Sequence, residues 1–115
     1  MGNYRRLEVW QLAHKLAVEV YHATAAFPPQ ERFGPTAQLR RSVISVSSNI
    51  AEGSGRGSPA ELRRFISIAR GSLHEAASQL AVSRALGFLP DGEWQAIDLR
   101  MDRISRMLFG LSRRQ

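Results

Sequence analysis

The sequence predicts an all-α protein, an antiparallel up-down-up-down four-helix bundle, and three observations carry that prediction. Four stretches repeat apolar residues at intervals of three and four, the signature of helices with one buried face. Proline and glycine breaks separate them, and the alternation of a half-buried strand is sustained nowhere. Short connections between amphipathic helices make chain neighbours antiparallel. A chain of 115 residues is expected to form one domain, 1–115, around one modest core.

The first helix is expected over about residues 7–26, where Leu7, Trp10, Ala13, Leu16, Ala17, Val20 and Tyr21 share a face. Phe27-Pro28-Pro29 stops it, because proline lacks an amide donor and forces the residue before it extended. The second is expected over about 35–52, with Leu39, Val43, Val46 and Ile50 confined to about 60° of arc. Gly53-Ser54-Gly55-Arg56-Gly57 then reads as a break. Ser58-Pro59-Ala60-Glu61 is a capping box with proline at the first helical position, the sharpest boundary in the chain.

The third helix, about 59–86, carries Leu62, Phe65, Ile66, Ala69, Leu73, Ala76 and Leu80 inward and stops at Gly87. The fourth, about 92–111, takes Asp91 as its expected N-cap. Its seam of Trp94, Ile97, Met101, Ile104, Leu108 and Leu111 steps by three and four, as in a coiled coil.

Some residues exceed what a minimal monomeric bundle needs. Ser42, Ser45, Ser47, Ser48 and Asn49 in the second helix, and Gly71 in the third, are poor helix formers, which small residues at close helix approaches often are. Ile68, Val82 and Leu86 widen the apolar face of the third helix, and Leu99 points away from the fourth helix's seam. Surplus apolar faces predict a homo-oligomer, set against coverage of the bundle's own flanks.

Most chemistry is excluded by inspection. The chain has no cysteine, hence no disulfide, thiolate zinc site or Cys nucleophile. His14 and His22 stand about 12 Å apart along a helix, too far for one ion. Glu19-Val20-Tyr21-His22 matches the Glu-x-x-His pair of di-iron bundles, but His74-Glu75 has the wrong order for a second pair. Glu19 and His22 are therefore expected to be ordinary surface residues. The Gly53–Gly57 loop follows a helix rather than a strand and lacks the Walker lysine; Arg56 and the amides opening the third helix offer at most a phosphate contact. Ser54 and Ser72 sit in no nucleophile elbow. No enzyme, metal site or cofactor is expected. Apolar runs fall short of the ~20 residues that span a bilayer, and Met1–Arg6 is too polar for a secretory core, so a cytoplasmic protein without membrane contact is expected.

Charge is the remaining signal. Sixteen basic residues against 10 acidic give a net charge of +6, and Lys15 is the only lysine among them. On the fourth helix Arg100, Arg103, Arg106, Arg113 and Arg114 occupy about 140° of arc opposite the seam. Arg63 and Arg70, seven apart, share a face of the third helix, and Arg41 lies on the polar side of the second. Arginine binds phosphate bidentately and stacks on bases. Arg41, Arg56, Arg63, Arg70, Arg100, Arg103 and Arg106 are therefore the expected contacts to RNA or DNA, at phosphates. The alternative is an oligomeric scaffold or protein-binding module whose basic surface is incidental, with Asp98 and Asp102 partly neutralising the arginines.

Phe27-Pro28, Glu31, Gly34, Gln38-Leu39-Arg40-Arg41-Ser42, Ser48-Asn49-Ile50-Ala51-Glu52-Gly53, Gly55-Arg56, Phe65, Ala69 and Gly71-Ser72-Leu73 together resemble the bacterial four-helix-bundle family named for 23S rRNA intervening sequences. Leu7–Ala13 resembles that family's first helix. The resemblance implies a left-handed bundle assembled as a homopentameric ring with a basic surface or channel. Similar proteins serve diversity-generating retroelements as accessory variability determinants that contact nucleic acid and a reverse transcriptase. Pro35 and Gly110 depart from the commoner pattern. Ser48, Asn49, Glu52 and Gly71 are read as packing and interhelix hydrogen-bonding residues, with no catalytic role.

Overall fold

A computed structural model describes residues 3–113; Met1, Gly2, Arg114 and Gln115 lie outside the described residues. Four helices, α1 (Glu8–Thr24), α2 (Pro35–Ser54), α3 (Pro59–Ala85) and α4 (Asp91–Arg113), form a rod of 43 × 23 × 20 Å. Each packs on its chain neighbour and α4 closes on α1; the diagonal pairs make no close backbone approach among the described residues. That is the expected up-down-up-down bundle. Short 3-10 turns at Tyr4–Arg6 and Pro29–Glu31 are additions the apolar spacing does not reveal.

The four predicted seams meet on one axis. Leu16, Val20, Leu39, Val43, Val46, Ile50, Leu73, Leu80, Ile104 and Leu108 are all essentially inaccessible to solvent. Each such burial stabilises the fold by about 1.5–3 kcal/mol. Phe27 and Phe88 close one end, their ring centroids 5.4 Å apart.

The helix ends depart from the expected bounds in informative ways. α1 ends at Thr24 rather than residue 26, because its last turn tightens: the N–H groups of Ala26 and Phe27 bond to Ala23 and Thr24, three residues back. α2 continues through Gly53 to Ser54, so the first two residues of the expected break are helical and the break itself falls at Gly55–Gly57, where Gly57 takes φ +78. A Cβ on Gly53 would stand 2.8 Å from the Cβ of Phe65, so this glycine permits a close approach of α2 and α3. Pro90, not Asp91, takes the N-cap place of α4, since its carbonyl accepts the Trp94 N–H at 3.0 Å. Asp91 is the first helical residue and its carboxylate accepts from Arg84 Nε at 3.0 Å. Gly110 does not interrupt α4, which runs on to Arg113.

At α3 the local signals hold. Ser58 Oγ accepts the Glu61 N–H at 3.1 Å, while the Glu61 carboxylate is engaged by Arg64 at 3.3 Å. α3 ends at Ala85, one residue early, with Gly87 in the left-handed region at φ +78. The Phe88 N–H bonds to Ser83 O and the Gly87 N–H to Arg84 O, both at 2.9 Å, a Schellman closure.

Small polar residues do mark the α2–α3 contact, though not all those expected. Ser42 Oγ lies 2.9 Å from Glu75 Oε1, and Ser45 Oγ 2.8 Å from Ser72 Oγ. Asn49 Nδ2 donates to Ser45 O at 2.8 Å, bracing the ladder from within α2. Ser48 is exposed, and Glu52 pairs with Arg56 instead of reaching another helix. Gly71 is exposed too, with open space where a side chain would stand.

Candidate nucleic-acid interface

The arginines divide by what they touch. Arg100 and Arg103 lie on the α1 flank of α4. Arg100 Nε forms a close ion pair with Glu19 Oε1, and Arg103 Nη2 lies 3.9 Å from Glu8 Oε1. Glu19 is thus no ordinary surface residue: it is half-buried and ties α1 to α4. The signal was present in the spacing, since Glu8 and Glu19 are eleven apart and share a helix face. His22 is exposed, and among the described residues no three metal-binding side chains converge.

Arg106 and Arg56 are held within their own chain segments. Arg106 Nη2 is 2.8 Å from Asp102 Oδ2, and Arg56 Nη2 is 2.6 Å from Glu52 Oε2, both four residues back and well exposed. Such pairs contribute about 0.3–0.5 kcal/mol and exchange readily. Arg56 also lies over the Phe65 ring. With Ser58 capping the Glu61 amide and Arg56 held by Glu52, the Gly55–Gly57 segment reads as a connector. Asp98 pairs with no arginine among the described residues.

Arg41, Arg63 and Arg70 have no carboxylate within 4.0 Å among the described residues. Arg41 is exposed on α2, away from the other two. Arg63 is exposed, and Arg70 is half-buried with its guanidinium 5.0 Å from the centroid of Phe109. Arg113 approaches the same ring from α4, at 5.5 Å. Because α3 and α4 run antiparallel, the C-terminal end of α4 lies beside the N-terminal half of α3. Arg63, Arg70, Phe109 and Arg113 therefore gather at one end of one face. Arg114, also assigned to the basic arc, lies outside the described residues.

The sequence reading did not single out Phe109. It sits next to the seam residue Leu108, and only its position off the 3-4 spacing distinguishes it. Arg40 is structural: its Nε donates to Thr24 Oγ1 at 2.8 Å and its Nη2 to Tyr21 O at 3.2 Å, joining α2 to α1. None of the described helices is long and apolar enough to cross a membrane.

Comparison with solved structures finds a crystal structure of a protein of unknown function from the S23 ribosomal protein family of Bacteroides thetaiotaomicron VPI-5482. It matches with a TM-score of 0.81 at 20% identity, over 90% of this chain and 97% of that one. At that identity the likeness establishes the fold. Comparison with curated proteins returns no significant match. The family model for 23S rRNA-intervening sequence proteins matches residues 5–110. This chain belongs to the 23S rRNA-intervening sequence protein family.

Proposed function

We propose that this protein is a non-enzymatic, oligomeric helical bundle that binds RNA or DNA through arginines at phosphates. The observation that carries the reading is the α3–α4 patch: Arg63, Arg70 and Arg113 gather with no carboxylate within 4.0 Å among the described residues. A guanidinium with open donors meets phosphate bidentately, and a net charge of +6 draws a polyanion toward the surface. Arg56 and Arg106 add to the site by exchanging exposed carboxylates for phosphate. Arg103, whose Glu8 pair is long and exposed, is as free to exchange, whereas Arg100 contributes less, because leaving half-buried Glu19 loosens α4 from α1.

A salt titration with RNA and DNA oligonucleotides tests this. Log affinity is expected to fall linearly with log salt, by about 0.9 per neutralised phosphate on duplex DNA and about 0.7 on single strands. Replacing Arg63 and Arg70 together by alanine lowers that slope by roughly one to two. Absence of binding at about 50 mM salt, where phosphate contacts are strong, overturns the reading.

A second reading, an oligomeric or partner-binding scaffold without a nucleic-acid role, is favoured by a separate observation. Ile68, Val82 and Leu86 on α3 and Leu99 on α4 are all exposed, Leu99 to 70%.

A further inference from the structure

We propose that Phe109, exposed beside the guanidiniums of Arg70 and Arg113 at the end of the α3–α4 face, is a stacking platform for an unpaired base, so that the ligand is single-stranded. This inference rests on the nucleic-acid reading above and adds the ligand class to it.

Phe109 has the chemistry for the task. Phe109 is 45% exposed and stands off the α4 seam, whose neighbours Ile104 and Leu108 are fully buried. The core is complete without it. An exposed aromatic face offers every base the same π surface, which is why such platforms bind single strands with little sequence preference. Duplex bases are already stacked on one another and offer a protein their edges rather than their faces.

The surroundings supply the other half of single-strand recognition. Arg70 and Arg113 lie 5.0 and 5.5 Å from the ring centroid, close enough for cation–π attraction. Planar guanidiniums stack on bases as well as pairing with phosphate. Arg63, one further pair of turns along α3 on the Arg70 face, extends the cationic track by about 10 Å. The contrast within the chain is informative. The guanidiniums over Phe65, those of Arg56 and Arg64, are each paired with a glutamate, and Phe65 itself is buried. Only at Phe109 do an exposed ring and two guanidiniums without a carboxylate partner coincide among the described residues.

The test uses the full chain with three probes of equal length: a single-stranded oligonucleotide, the same strand made abasic, and a duplex. The abasic strand keeps the phosphates and removes the bases. Wild type is expected to bind the single strand more tightly than the abasic strand, by on the order of ten- to a hundredfold for one stacked base. Phe109→Leu, which keeps an apolar helix former, removes that preference while leaving abasic-strand affinity and the salt slope as in wild type. Phe109→Tyr restores the preference, which separates the loss of a π face from a general disturbance of α4. If Phe109→Leu binds the single strand as wild type does, the platform is overturned and phosphate binding stands. If no probe binds at about 50 mM salt, the underlying reading fails first.

Discussion

Gly53 and Gly71 both lie inside helices, yet they answer to different forces. Gly53 is buried where α2 meets Phe65, and an added Cβ collides with a Cβ that has no freedom to rotate away. Gly53→Ala is expected to destabilise the fold by about 1–3 kcal/mol, the range for overpacking a tight site. Gly71 is exposed with open space above it, so Gly71→Ala is expected to stabilise by up to about 1 kcal/mol through helix propensity alone. Urea denaturation midpoints with unchanged slopes check both, and equal effects of the same sign contradict the assignment. Each glycine was visible in the sequence, but the sequence suggested the reverse roles. A glycine that breaks a helix and one that lets a neighbour approach look alike until the neighbour is placed.

Among the elements, α3 was the most legible and its boundaries were nearly right, because its start and stop are local chemistry. Ser58 and Pro59 at one end and Gly87 at the other act within a single turn of their own residues. Ser58→Ala is expected to lower stability by about 1 kcal/mol, and Ser58→Gly by only a few tenths, measured as shifts in the unfolding midpoint. A negligible effect of Ser58→Ala would show that tertiary packing, rather than the cap, holds this end. The ends of α1 and α2 and the start of α4 were read less well. Each is set by what the neighbouring segment accepts: a tightened turn before Phe27, Gly53 against Phe65, Pro90 in place of Asp91. The candidate interface splits in the same way. Arginine faces follow from the helical period, whereas the carboxylates that engage Arg100 and Arg103 come from α1, 81 and 95 residues earlier in the chain.

For the whole molecule, the rod presents its surplus charge and its surplus apolar residues on the outside. Val82 and Leu86 are more than half exposed, and Leu99 more so. An assembly of several copies, each of 12.8 kDa, is therefore expected in solution. Leu99→Glu, and separately Val82→Glu with Leu86→Glu, are expected to shift the mass toward the monomer without loss of helical content, since none of these residues lies in the core. A stable monomer of wild type at micromolar concentration, by light scattering or native mass measurement, argues decisively against oligomerisation. An oligomer would also repeat the Arg63–Arg70–Phe109–Arg113 patch and so raise its avidity for a long strand.

The sequence by itself determined the helix count, the four apolar seams, the order in which they pack, and which helix faces carry the arginines. All of these follow from the 3.6-residue period and from proline and glycine punctuation, which act over a few residues. It also carried the motifs by which the family was first suggested. The tertiary structure alone decided which arginines are already engaged, which glycine permits close packing, and that Phe109 stands exposed beside Arg70 and Arg113. Those are distances between side chains on different helices. No local periodicity encodes them, because they depend on the axial register at which two antiparallel helices settle.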